Sequence, residues 1–175
     1  MHQLPVSEFP HLPPCADSGS HVEAELQAPP ELFTGWPVAA DARDWITAHL
    51  PARPAAVLHG DLLPQNLLWD FHDDGRISVI DWECARIGDP AYDLAVVTRG
   101  ARKPLKETGG LPRLLDFYNA AGTSLAADDV RVHELLVHLR WLAESGRDEA
   151  AGTLQGHGPL HYAGQVASLL RRSGA

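Results

Sequence analysis

The sequence predicts an α+β domain, mainly helical, with one small β-hairpin beside a polar loop. Three observations carry this. Apolar residues recur at helical spacing in three later stretches, near 111–121, 127–144 and 159–171. Two short apolar runs, Leu67 to Trp69 and Ile77 to Ile80, flank a polar turn containing Asp74-Gly75, which is the pattern of a hairpin. A chain of 175 residues is long enough to bury about 70% of its unfolded surface around one core.

Taken in order, residues 1–39 hold Pro5, Pro10, Pro13, Pro14, Pro29, Pro30 and Pro37, so they read as a Pro-rich, loop-rich leading segment with short, interrupted structure. Residues 40–175 then form the folded domain. Asp41 to Leu50 reads as its first helix, with Asp41 as N-cap or first-turn acid. Ala42, Trp45, Ile46 and His49 share its inner face, and Pro51 stops it. Ala55 to Leu58 is a short apolar lead into the polar loop. Gly88-Asp89-Pro90 signals a helix start, since Asp89 can accept from free amides while Pro90 fits the first turn, and a helix over 90–99 follows. Leu111, Leu114, Leu115 and Tyr118 mark the next helix, which Gly122 ends. Val132, Leu135, Leu136, Leu139 and Leu142 mark the one after it, and Leu160, Ala163, Val166 and Leu170 the last. Glu144 to Gly158 reads as a Gly-rich connection between those two.

Composition excludes several classes. The net charge of −9 argues against a nucleic-acid partner, because phosphate binding is driven by Lys and Arg. Cys15 and Cys84 stand far apart in no metal or disulfide pattern, which fits a reducing compartment. His133 and His138 are five apart on a predicted helix, so they do not share a face as a zinc pair would. No basic leader precedes an apolar run and no apolar stretch reaches membrane-spanning length, so a soluble cytoplasmic protein with no membrane partner is expected.

The chemistry concentrates between Leu58 and Glu83. His59, Asp61 and Asn66 fall in the pattern H-x-D-x-x-x-x-N, and the second hairpin run ends on Asp81. Phosphoryl transfer needs a carboxylate to orient an acceptor hydroxyl and take its proton, and hard oxygen ligands for Mg2+. Asp61 suits the first task, with a backbone-capping loop carboxylate as the plainer alternative. Asn66 and Asp81 suit the second. Asp81 interrupts an apolar run, where a buried carboxylate would need a cation or strong donors. His59 reads as structural, hydrogen-bonding the loop into shape. Asp93 lies among Tyr92, Leu94, Ala95 and Val96 and needs donors, which backbone amides of the loop would supply. Asp70, Asp73 and Asp74 read as turn formers. Glu83 could reach metal-bound water but more simply pairs with Arg86 or another surface cation.

Three blocks, His59-Gly60-Asp61-Leu62-Leu63-Pro64-Gln65-Asn66-Leu67-Leu68, Val79-Ile80-Asp81-Trp82-Glu83 and Gly88-Asp89-Pro90-Ala91-Tyr92-Asp93-Leu94-Ala95, resemble the aminoglycoside phosphotransferase family, relatives of choline kinase. The resemblance implies a protein-kinase-like C-lobe that uses ATP and Mg2+ and transfers phosphoryl to a hydroxyl of a small molecule. It implies Asp61 as base, Asn66 and Asp81 as metal ligands, and Asp93 as an aspartate that braces the loop. Leu63 and Gln65 stand where family members often carry His and Gly.

A family N-lobe would add a lysine, its partner glutamate and a glycine-rich loop over the nucleotide. Here the lysines are Lys103 and Lys106, both after Asp81, and before Gly60 only Gly19 and Gly35 occur. The resemblance therefore covers the C-lobe alone, with the N-lobe absent, a truncated start and no nucleotide-binding residue assigned. Met1-His2-Gln3-Leu4-Pro5 resembles a segment that the family carries early in that lobe. The expectation is a phosphotransferase half, incomplete without a separate N-lobe chain, a longer chain or self-association. The alternatives are a non-catalytic remnant that binds a small molecule or Mg2+, and an inactive fragment.

Overall fold

The computed structural model describes residues 1–27, 33–70, 75–98 and 109–172. Asp73, Asp74, Lys103, Lys106 and the end of the helix expected at 90–99 lie outside the described residues. In chain order the elements are α1 (Ser18–Glu25), α2 (Pro37–Ala48), β1 (Ala56–Leu58), β2 (Leu67–Trp69), β3 (Ile77–Val79), β4 (Arg86–Gly88), α3 (Ala91–Thr98), α4 (Leu111–Ala120), α5 (Ala127–Ala151) and α6 (Pro159–Arg172). This is an α+β fold dominated by helix.

The strands form two separate antiparallel pairs. β2 pairs with β3 in the register Leu67↔Val79, Leu68↔Ser78 and Trp69↔Ile77. β1 pairs with β4 through Ala56↔Gly88, Val57↔Ile87 and Leu58↔Arg86. No sequence pattern announces β4, because a three-residue strand ending on glycine has no alternation to detect. Its pairing means that the polar loop leaves β1 and the chain returns beside it, so the loop is fixed at both ends.

α5 is the central element. Val132, Leu135, Leu139 and Leu142 on it meet Ala42 and Ile46 of α2, Val22 of α1, and Val166 and Leu170 of α6. A second cluster joins Ala91, Leu94 and Ala95 of α3 to Leu115, Leu125 and Val130. A third, Leu58, Leu63, Tyr92 and Val96, lies under the polar loop.

Three expectations need correction. α2 begins at Pro37 rather than Asp41, because proline with its fixed φ opens the first turn after Trp36, and Asp41 lies inside the helix. His49 is exposed rather than on the inner face; its ring stacks on Trp45 at 3.9 Å and Nδ1 lies 2.8 Å from the Trp45 carbonyl. α5 does not stop at Glu144 but runs through Gly146 to Ala151. A helical glycine costs about 1 kcal/mol, and burial of Leu142, Ala143 and Ser145 offsets it. The stop comes at Gly152, whose φ of 71° puts it in the left-handed region that caps a helix.

α1 is tied to the start of α3 by a buried polar group. Asp89 accepts from the Ala91 amide at 3.2 Å and pairs with His133 Nε2 at 2.8 Å, while its own amide donates to His21 Nδ1 at 3.1 Å. Burial alone would raise the Asp89 carboxyl, but His133 and then Arg53 hold it below the usual range. The His21 ring fills the space a Gly88 side chain would need, 2.8 Å from a Cβ placed there. Burial, with repulsion from His133, lowers the His21 pKa from 6.5 to about 4. Between those values the unfolded chain binds a proton that the folded chain refuses, so stability falls as pH falls. The loss should be on the order of 3 kcal/mol between pH 6.5 and 4. Urea denaturation across that range should give this slope, and a His21→Gln variant should lack that part of it.

Candidate active site

The polar loop is held by hydrogen bonds that its own sequence supplies. His59 is fully buried, and its Nε2 lies 2.8 Å from the Ile80 carbonyl, so that nitrogen carries the proton and donates. Nδ1 is then the acceptor, 3.3 Å from the Asp61 amide. The Trp82 ring covers His59 at 4.8 Å. His59 thus joins the residue before Asp81 to the backbone of Asp61. Gly60 turns the chain between them with a φ of 83°, and a Cβ there would lie 2.1 Å from the Cys84 carbonyl, so no larger residue fits.

Asp93, in the first turn of α3, closes the loop from below. Its two carboxylate oxygens accept the His59 and Gly60 amides, each at 2.9 Å. A third donor comes from the chain's second residue: His2 Nε2 lies 3.0 Å from Asp93 Oδ2, and His2 Nδ1 lies 2.7 Å from the Tyr118 hydroxyl. Burial, then the charges of Asp89 and Asp93, push the Tyr118 hydroxyl up to about 12, so it keeps its proton and donates to His2. The relay Tyr118 to His2 to Asp93 was not readable from local pattern, since 91 residues separate His2 from Asp93. The sequence signal at residues 1–5 was only a resemblance, without a partner.

The three remaining site residues are Asn66, Asp61 and Asp81. Asn66 is buried, and its amide nitrogen donates to the Asp61 carbonyl at 2.9 Å and to Asp61 Oδ2 at 3.3 Å. The Ile80 amide donates to the Asn66 carbonyl at 3.0 Å. Asp81 therefore follows directly on a residue bonded to Asn66. Asp81 is exposed, contrary to the burial expected at the end of an apolar run, because β2 and β3 carry exposed side chains on both faces. Its φ of 68° makes it the one described non-glycine residue with positive φ, a strained conformation of the kind that gathers at functional sites.

With the Asn66 nitrogen committed to Asp61, its Oδ1 is the atom the side chain can offer a cation. It and the Asp81 carboxylate are hard oxygen donors of the kind Mg2+ takes, commonly one or two from protein with phosphate and water for the rest. No group of three or more His, Cys, Asp or Glu forms a metal cluster among the described residues. Glu83 is exposed, and Arg86 pairs instead with Glu25 at 3.2 Å.

A cleft of about 250 Å³ opens beside Asp61, lined among others by Gly60, Arg86, Tyr92, Arg140 and Trp141. The hairpin leaves apolar side chains exposed on both of its faces, Trp69 with Ile77 on one and Leu68 with Ile80 on the other, and Trp69 is 61% exposed. No helix among the described residues is long and apolar enough to cross a membrane.

A family model described as the phosphotransferase enzyme family matches residues 1–159. A viomycin phosphotransferase from Streptomyces vinaceus is 50% identical over 50 residues, which is 27% of this chain and 17% of that protein. Among solved structures, the choline kinase LicA from Streptococcus pneumoniae superposes with a TM-score of 0.56 at 18% identity, over 86% of this chain and 52% of that one. A thermostable mutant of the aminoglycoside phosphotransferase APH(4)-Ia, in a ternary complex with AMP-PNP and hygromycin B, gives 0.58 at 22% identity, over 90% and 52%. A choline/ethanolamine kinase family protein from Mesorhizobium loti gives 0.56 at 18% identity, over 90% and 54%. The chain thus spans about half the length of these solved structures.

Proposed function

Because this chain belongs to the phosphotransferase enzyme family, we propose that it supplies the catalytic half of a kinase that moves the γ-phosphoryl group of ATP to a hydroxyl of a small molecule. The observation that carries this reading is the Asp61 carboxylate, set at the mouth of a cleft and oriented by the Asn66 amide at 3.3 Å. A hydroxyl bound in the cleft would donate to Asp61, which aligns its lone pair for attack on phosphorus and takes the proton as the bond to phosphorus forms. The fixed loop matters as much as the carboxylate. Asp93 and His59 hold the backbone from His59 to Asp61, so the base need not reorganise during the reaction.

Asn66 Oδ1 and the Asp81 carboxylate would hold Mg2+, which would neutralise phosphate charge when bound. ATP use is also supported by the AMP-PNP complex of the aminoglycoside phosphotransferase similar to this chain. The nucleotide lobe would come from a partner chain, a longer chain or a second copy. The apolar side chains that the hairpin exposes on its two faces, Leu68, Trp69, Ile77 and Ile80, support that reading, because exposed apolar surface commonly marks an interaction site.

The test is transfer by the native assembly, isolated from its host under mild conditions and supplied with ATP, Mg2+ and a panel of hydroxyl compounds. Phosphorus NMR should show ADP and a new phosphomonoester in equal amounts. ADP with inorganic phosphate alone, whatever the acceptor, would contradict the assignment.

A further inference from the structure

We propose that the groove beside Asp61 takes an acceptor with an apolar body and, at the end remote from the hydroxyl that is phosphorylated, an anionic group of the carboxylate or phosphate kind. This rests on the phosphotransferase reading above and names the acceptor class within it. Two cavities lie side by side along α5. The first, about 250 Å³, holds Asp61, Arg86 and Trp141, and the second, about 260 Å³, holds Arg43, Arg147, Phe33 and Leu139. Arg140 and Glu144 line both. The α5 residues of the second cavity recur at three- and four-residue spacing from Leu136 to Arg147, so they form one face of the helix. At 1.5 Å per residue, Arg147 lies about 9 Å beyond Trp141 along that axis.

The charge of this groove opposes that of the chain. The protein carries −9 overall, yet the second cavity sets Arg43, Arg140 and Arg147 against Glu25 and Glu144. Glu25 is already shared, 3.2 Å from Arg86 and 3.8 Å from Arg140. Arg43 lies over the Phe33 ring at 5.6 Å. Among the described residues neither Arg43 nor Arg147 has an ion-pair partner, so two guanidinium groups stand against Glu144, the carboxylate of that cavity that Arg86 and Arg140 do not share. Guanidinium matches carboxylate and phosphate in planar, two-point hydrogen bonding. Beside those groups the second cavity is lined by Leu136, Leu139 and Ala143, which favours hydrocarbon. A polycationic acceptor would meet like charge there.

The experiment is calorimetry on the purified chain at low salt, without nucleotide or metal, using ω-hydroxydecanoate, decanediol and ω-aminodecanol. Their bodies are equal and only the far group changes charge. ω-Hydroxydecanoate should bind about tenfold or more tightly than either of the others, the range of a charge-assisted hydrogen bond. The double variant Arg43→Gln/Arg147→Gln, altered at side chains with no structural ion pair, should erase that advantage. Equal affinities, tighter binding of the amine, no binding of the carboxylate, or an advantage that survives in the double variant would each overturn the proposal. Failure here with phosphoryl transfer intact removes the acceptor class alone. Loss of transfer with the charge preference intact removes the reaction and leaves the groove assignment standing.

Discussion

Asp61→Asn should lower phosphoryl transfer by the native assembly by about 10² to 10⁴-fold, the usual contribution of a general base. The substitution keeps the size of the side chain and its contact with the Asn66 amide, which lies 3.3 Å from Asp61 Oδ2. Only the negative charge and the ability to accept a proton are removed. The loss should therefore appear in kcat, with acceptor affinity nearly unchanged, because the hydroxyl still finds a hydrogen-bonding partner. Transfer rates measured under acceptor saturation check this. A variant as fast as the parent would remove Asp61 from the role.

Asp93→Ala should cost stability rather than chemistry first. Asp93 is fully buried and accepts the His59 and Gly60 amides at 2.9 Å each, with His2 as third donor. Alanine would leave two backbone donors buried without partners, at about 1–3 kcal/mol each, so a total of roughly 2–6 kcal/mol is expected. Urea denaturation should show it as a shifted midpoint with little change in slope. Asp93→Asn should recover part of the loss, since its one amide oxygen can accept a single loop amide. Stability equal to the parent in Asp93→Ala would show that the loop does not depend on this brace.

Much of this site could be read from sequence because its parts are local. The spacing of His59, Asp61 and Asn66 lies within one loop, and Asp81 follows the hairpin that Leu67 to Trp69 and Ile77 to Val79 form. The need of Asp93 for donors was legible from its apolar neighbours. What escaped is contact between distant residues. β4 pairs with a strand about thirty residues earlier, and nothing in Arg86-Ile87-Gly88 announces it. The local capping pattern at Asp89 pointed to Ala91, but it could not point to His133, 44 residues on, or to Arg53. The burial of Asp81 was misjudged because an apolar run was taken as a sign of a covered strand. The hairpin that carries it is exposed on both faces.

The most direct test of the central claim is calorimetry of ATP with Mg2+ on the purified chain, run beside Asp81→Ala. The proposed metal ligand Asp81 is an exposed carboxylate in a left-handed backbone conformation, one residue beyond the Ile80 amide that donates to the Asn66 carbonyl. Its role as a ligand predicts micromolar to millimolar binding that needs Mg2+ and is lost or weakened at least about tenfold in the variant, as removal of one charged metal ligand requires. Binding of equal strength in both proteins would contradict it.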